Sequence, residues 1–317
     1  MTIGSHTIAS QNDPYRLVDG LWRPPWPVVH QEGDFANHWF SCLAEMERTH
    51  FWYRGRYRFL LEAVRRHCQA GSGEYEAGST ERGARGLRAL DIGGGCGGWI
   101  RLLSERAPRW FAELAIGDSS VRALAFARTD LPAHVKLYHL DCLNLGWQSR
   151  WDVVFLLDVL EHLPDDRKAI CEAGRALAPR GRLFVTVPAL KAFWTYNDKL
   201  AGHKRRYCRA DLARLAKGSG LNLLDSRYFM FFLSPLLLVS RWVHRPRAGL
   251  RAEEAAALMA RTHRTPSRPT DALLGAIFAA ETPLGHRLHF PWGTSLLGVF
   301  GKDDEASCQP CCRHKGN

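Results

Sequence analysis

No stretch of this 317-residue chain is apolar enough to span a bilayer. The longest apolar run, Tyr228 to Val239, is interrupted by Ser234 and Pro235 and bounded by Arg227 and Arg241. A spanning helix needs roughly 20 apolar residues. The opening MTIGSHTIASQNDPYR lacks a basic n-region and an apolar h-region, so no signal peptide is expected. A paired cysteine framework is missing too. The nine cysteines are an odd number, and six are scattered singly, which fits a reducing cytoplasm. Cys308, Cys311, Cys312 and His314 cluster in the tail, but CxxC without a second well-spaced pair reads as readily as a solvated tail. No metal is expected. With 46% hydrophobic and 24% charged residues, the composition excludes a largely disordered, collagen-like or coiled-coil chain. Length gives a prior of about two domains. The expectation is a soluble cytoplasmic protein, peripheral to a membrane at most.

Acidic residues are outnumbered, 32 against 43 basic, for a net charge of +11. Between Gly202 and Arg251 there are eleven Lys/Arg against Asp211 and Asp225. This excess reads either as a solvated basic face or as a site for an anionic partner, such as a phosphate-bearing substrate, acidic lipid or nucleic acid.

Residues 1–30, rich in Pro and Trp, read as an irregular arm, followed by two helices between Asp34 and Cys68 and a polar linker at 71–86. Beyond it, apolar runs alternate with amphipathic stretches, as in βαβ units around a parallel sheet. Strands are predicted at Leu87–Ile92, Glu113–Gly117, Val135–Leu140, Asp152–Leu157, Arg182–Val187, Leu221–Tyr228 and Thr294–Phe300. Helices are predicted at Gly98–Arg106, Ser120–Thr129, Asp165–Ala178 and Arg209–Gly218, with Gly181 as a left-handed stop. The division expected is an arm with lid helices (1–84), a core (85–229 and 291–303), a helical insertion (230–290) and a flexible tail (304–317).

The strongest local signal is Leu90-Asp91-Ile92-Gly93-Gly94-Gly95-Cys96-Gly97-Gly98 at a strand–helix junction. Glycines there let backbone approach a ligand in front of a helix N-terminus. The loop satisfies both GxGxG and the dinucleotide GxGxxG, and Asp118 would hold ribose hydroxyls in either case. Two features favour one reading. Asp91, just ahead of the glycines, is of little use beside a pyrophosphate but suits the cationic methionine moiety of S-adenosylmethionine. The fourth strand ends in Leu157-Asp158-Val159-Leu160-Glu161-His162, which places polar side chains at the sheet's carboxyl edge.

On LDIGGGCG, AIGDSS, YHLDCLNL, DVVFLLDVLEHLPD and APRGRLFVTVPA, in that order, the chain resembles the class I S-adenosylmethionine-dependent methyltransferases over about 85–229 and 291–302. The resemblance implies an α/β Rossmann-like fold, with a seven-stranded mostly parallel sheet whose last strand is reversed. It implies S-adenosylmethionine as cofactor, with Gly93, Gly95 and Gly97 beneath it. Asp118 and Ser119 would lie at the ribose, Asp141 and Cys142 near the adenine, and Asp158 at the methionine end. A narrower similarity, to small-molecule, lipid- and glycan-associated members, rests on HFWYRGR at 50–56 and on Asp198…Gly202-His203-Lys204-Arg205-Arg206-Tyr207. It makes Tyr53 and Arg56 cofactor contacts, although Trp52 and Tyr53 read equally as helix packing. The DVLEH ending lacks the Asn/Asp-Pro-Pro-aromatic motif of amino-methylating nucleic-acid enzymes, so a nucleic-acid acceptor is disfavoured.

An activated methyl leaves the protein to align the acceptor and, for a hydroxyl, to remove a proton. His203 is the first candidate base and His162 the second, with Tyr207 orienting the acceptor. A solvated loop for His203 and a structural hydrogen bond for His162 are the plain alternatives. Lys204, Arg205 and Arg206 are candidates to clamp a substrate anion. Phe193, Trp194 and Tyr196 are candidates for an acceptor cavity, or for core packing. The small-molecule, lipid or glycan methyltransferase leads. An NAD-type oxidoreductase and a silent cofactor-binding subunit stay open. The apolar run at 228–239 is a pocket wall, a membrane contact or core.

Overall fold

A computed structural model describes residues 13–29, 39–69, 86–243 and 265–304. The linker at 71–85, Arg245, Arg247, Arg251 and the Cys-rich tail lie outside the described residues. A single sheet organises the molecule. Its strands are β1 (Arg16–Val18), β2 (Leu21–Arg23), β3 (Leu87–Ile92), β4 (Phe111–Asp118), β5 (Lys136–His139), β6 (Trp151–Leu157), β7 (Leu177–Pro188), β8 (Asn222–Phe229) and β9 (Ser295–Gly301), in the order β1-β2-β5-β4-β3-β6-β7-β9-β8. From β5 to β7 all neighbours are parallel, while β9 runs antiparallel to both β7 and β8. These seven strands give the expected fold, reversed last strand included. Their central members are apolar on both faces because helices cover both: Leu90, Val154, Phe155, Leu156, Phe184 and Val185 are fully buried.

The sheet has two strands more than expected. The arm read as irregular folds back at Asp19-Gly20, where φ is +51° and +74°, the paired positive values of a type I′ hairpin turn. β2 joins the sheet edge by pairing Trp22 with Tyr138 of β5. Tyr15, Tyr138, Trp147 and Trp151 pack in edge-on and stacked pairs beneath it. A second correction concerns Gly181. The left-handed residue is Arg180, with φ +60°. Gly181 answers a close approach instead, since a Cβ there would lie 2.8 Å from the Ala178 carbonyl. Leu177 and Ala178 belong to β7, not to the preceding helix.

The helices are α1 (Trp39–Thr49), α2 (Phe51–Val64), α3 (Gly98–Arg106), α4 (Val121–Asp130), α5 (Asp166–Ala176), α6 (Tyr196–Leu200), α7 (Arg209–Ala216), α8 (Ser234–Val243) and α9 (Arg268–Arg287). The insertion between β8 and β9 supplies α8 and α9. Helix α9 lies against α2, and Gly55 makes that approach possible because any side chain there would overlap the Phe278 ring. Phe59 stacks on His286, whose Nε2 is 2.9 Å from the Phe59 carbonyl oxygen. At the start of α2, Asp271 accepts the Phe51 N–H at 2.7 Å and pairs with Arg54. No helix among the described residues is long and apolar enough to cross a membrane.

Candidate active site

The sheet order reverses direction at β3, which has β4 on one side and β6 on the other. Connections leaving in opposite directions open a crevice at the carboxyl ends of such strands. Here that edge carries a cavity of about 1470 Å³, roofed by α1, α2 and the inserted helices.

One wall is the loop from β3 to α3. Gly93, Gly95 and Gly97 all have positive φ, between +57° and +88°. They do different things. A Cβ on Gly95 would meet nothing nearer than Leu43 at 3.8 Å and would project into cavity space. A Cβ on Gly93 would strike Val159 at 2.7 Å. Gly97 caps α3 with φ +88° and packs toward Leu131, away from the cavity lining, so its need is conformational. Asp118, at the end of β4, ties two loops together: its carboxylate accepts Gly95 N–H at 3.1 Å and Ser120 N–H at 2.7 Å. Ser119, Asp141 and Cys142 line the same region, and Asp141 accepts the Leu143 N–H at 2.8 Å.

Next to the glycines, Asp91 is buried, and its Oδ1 has no hydrogen-bond partner. Burial, which Arg56 offsets only in part, lifts this carboxyl well above the ordinary range, and Glu47 and Asp118 add to the rise. Arg56 enters from α2, buried, 2.6 Å from Asp158 and over the Trp52 ring. Asp158 itself holds φ +57°, a strained backbone for a residue other than glycine. Glu47, from α1, accepts the Gly98 N–H at 3.0 Å and so caps α3 from a different element. Burial pushes the Glu47 carboxyl up to about 7 against the pull of Arg56. An orphaned buried carboxylate oxygen beside an open glycine cradle fits a ligand that carries a cation next to a ribose. S-adenosylmethionine is such a ligand.

The crevice lining also includes a polar cluster. His203 Nδ1 lies 3.0 Å from Asp198 Oδ1, so that Nδ1–H donates to the carboxylate and Nε2 is the ring nitrogen turned away from it. Asp198 is buried and held by Arg206 at 2.7 and 3.1 Å and by the Thr195 N–H at 2.7 Å. Burial opposes its ionisation, yet hydrogen bonds from His203 and Arg206 keep it well below the usual carboxylate range. Glu161 is fully buried, and neither carboxylate oxygen has a hydrogen-bond partner; His203 Nε2 is 3.9 Å from Oε1. Burial, then repulsion from Asp158, raises the Glu161 carboxyl well above its ordinary value. His162 stands edge-on to His203 at 4.9 Å, and burial followed by the His203 and Lys204 charges lowers it to about 4.

Most residues singled out from the sequence meet at this cavity: Tyr53, Arg56, Asp91, Gly93, Gly95, Asp118, Ser119, Asp141, Cys142, Asp158, His162, Tyr196, His203 and Arg206 line it. Others do not. Tyr207 is buried and donates to Asp166 at 2.8 Å, so it orients no acceptor. Phe193 and Trp194 are half-buried and outside the lining. Two of the three cations in the loop are already paired with carboxylates. Lys204 donates to the His162 carbonyl, Arg205 pairs with Asp166 at 2.9 Å, and Arg206 spends its donors on Asp198 and the Ala189 carbonyl. Glu47, Glu161 and Asp198 were not among the sequence candidates. The last two stand inside quoted motifs; Glu47 sits in no local pattern. From the insertion, Leu236, Leu237 and Leu274 reach the lining, and Phe231 stacks on Phe290 beside β9.

A sequence model described as a methyltransferase domain matches residues 56–226. The chain is 26% identical over 203 residues to the chloroplastic tocopherol O-methyltransferase of Arabidopsis thaliana, covering 60% of this chain and 50% of that protein. It is 33% identical over 107 residues to the ubiquinone biosynthesis O-methyltransferase of Aromatoleum aromaticum, covering 32% and 44%. The chain thus spans about half the length of these relatives. Among solved structures, the Haemonchus contortus phosphoethanolamine N-methyltransferase 2 in complex with phosphomonomethylethanolamine and S-adenosylhomocysteine aligns over 88% of this chain and 62% of that one. Its TM-score is 0.51 at 16% identity, a likeness of fold. With more than half of its residues matched, and with the strand order and reversed last strand that its motifs implied, the chain belongs to the class I S-adenosylmethionine-dependent methyltransferase family.

Proposed function

We propose that the chain methylates a hydroxyl group of a small, largely apolar acceptor. The observation that carries the reading is that one cavity is lined by three kinds of surface. The glycine loop with Asp91 and Asp118, the His203 cluster, and the aliphatic Leu236, Leu237 and Leu274 all face it. Bound in the first part, S-adenosylmethionine supplies a methyl group already activated on a sulfonium. Asp91 answers the cationic methionine end, Asp118 accepts from the ribose hydroxyls, and Gly95 leaves the space beneath. An acceptor hydroxyl needs its oxygen freed of a proton. The Nε2 lone pair of His203 can serve it by taking that proton or by holding a cation that acidifies the hydroxyl. The aliphatic wall suits an aromatic or isoprenoid-like body better than a sugar phosphate, since the arginines of the lining, Arg56 and Arg206, are each paired with a carboxylate. The two O-methyltransferase relatives support this choice.

Calorimetric titration with S-adenosylhomocysteine and with NADH tests the first half. Saturable binding of the former and none of the latter is expected; the reverse would restore the oxidoreductase. Transfer of labelled methyl to hydroxylated aromatics with and without a lipid tail tests the second. Transfer confined to polar phosphorylated amines would overturn the acceptor assignment.

A further inference from the structure

We propose that Glu161, His162 and His203 form a binding site for a divalent first-row transition ion in the lining of the cavity. Each offers a ligand atom, and the three atoms lie within 4.8 Å of one another. Bonds of about 2.1 Å put ligand atoms on one side of an ion about 3.0–3.4 Å apart, so closure needs the widest pair to draw together by somewhat more than about 1 Å, within reach of side-chain rotation. Two imidazoles and one carboxylate on one side of an ion, with the remaining positions open, is a donor set that suits Zn²⁺, Mn²⁺ or Fe²⁺ better than Mg²⁺ or Ca²⁺.

Three independent features converge on a cation. The first is charge. Asp158 is answered by Arg56 and Asp198 by Arg206, whereas Glu161, completely buried, has no side-chain hydrogen-bond donor on either oxygen among the described residues and meets only His203 Nε2, 3.9 Å away. Lys204, in the adjoining loop, is directed at the His162 carbonyl. The second is orientation. Asp198 fixes His203 with Nδ1–H donating, the carboxylate–histidine arrangement that presents Nε2 to a metal and raises its basicity. The third is place, for all three residues line the cavity.

The ion's role rests on the methyl-transfer reading. An acceptor hydroxyl on the open positions is acidified, as metal-bound water is, and its proton leaves to solvent. The oxygen forms the new C–O bond as the C–S bond of the donor breaks, leaving the neutral thioether. His203 is then a ligand and not the base.

The test uses Mn²⁺ with the full chain, because this hard ion has little preference for the thiolates of Cys308, Cys311 and Cys312. Electron paramagnetic resonance titration should show one Mn²⁺ bound per chain, with Glu161→Gln and His203→Gln each weakening it at least about tenfold. Pulsed resonance on the parent protein should show coupling to histidine nitrogen, a readout that needs no variant to fold. Absence of stoichiometric Mn²⁺, absence of nitrogen coupling, or unchanged affinity in folded Glu161→Gln would each overturn the site. S-adenosylhomocysteine titration alongside keeps the two readings apart: its failure sinks the methyltransferase assignment and leaves the Mn²⁺ result to decide the metal site.

Discussion

Asp198 Oδ1 stands 3.0 Å from His203 Nδ1, and that contact decides which ring nitrogen faces the cavity. The carboxylate is itself gripped by Arg206 through two hydrogen bonds. The imidazole is therefore fixed in both tautomer and rotation, as a group needs to be when its lone pair must meet a ligand at one angle.

His203→Ala should lower turnover by about 100-fold. Affinity for S-adenosylhomocysteine should stay within about twofold, because the ring is held by Asp198 and not by the glycine loop or Asp118. Asp198→Asn should cost between about 10-fold and 100-fold in turnover while leaving His203 in place. Single-turnover rates beside calorimetry separate the two parameters, and a change confined to cofactor affinity would contradict the assignment.

Asp118→Ala should weaken S-adenosylhomocysteine at least about tenfold, since charge-assisted hydrogen bonds are worth roughly 1.5–3 kcal/mol each. The same carboxylate braces Gly95 and Ser120, so hydrogen exchange at those two amides should quicken as well. An unchanged dissociation constant would remove Asp118 from the cofactor site.

Gly95→Val should abolish cofactor binding. Its Cβ would project into the cavity, and φ of +57° adds backbone strain of roughly 1–2 kcal/mol. Gly97→Val should act differently, through contact with Leu131 and loss of the α3 cap, and appear mainly as a lower melting temperature. Equal effects of both on stability and binding would argue against this division of labour.

Glu47 sets a pH dependence of stability. Its folded pKa, about 7, lies above the ordinary value of 4.5. The folded state therefore binds a proton that the unfolded state releases first, so this contribution is complete below about pH 4.5 and is lost as pH rises to 7. The loss is on the order of 3 kcal/mol. Urea unfolding of Glu47→Gln should lack that slope, and identical pH profiles for variant and parent would refute it.

Local signals were the legible ones. Leu87–Ile92 and Gly98–Arg106 appear where patterning placed them, because strand, glycine turn and helix are specified within twenty residues. The hairpin at Asp19-Gly20 was equally local, but the prolines and tryptophans around it masked a two-residue turn signal. Glu47 was not legible at all, since its partner Gly98 is 51 residues away and only tertiary packing brings them together. Tyr207 and Arg206 show the converse failure. Residue type and loop position suggested chemistry, and the fold had already engaged both with Asp166 and Asp198.

The short hairpin at Arg16–Arg23 has a consequence for how copies of this molecule meet. A strand edge left bare invites another chain to pair with it, and Lys136–His139 would be such an edge. Covering it, the outermost strand Arg16–Val18 spans only three exposed residues, too few for a foreign strand to extend the ladder far. Tyr15, just before the hairpin, and Trp22, within it, pack on the buried Tyr138 and Trp147. Removing residues 13–23 would expose an aromatic face beside a free ladder, and self-association is the expected result.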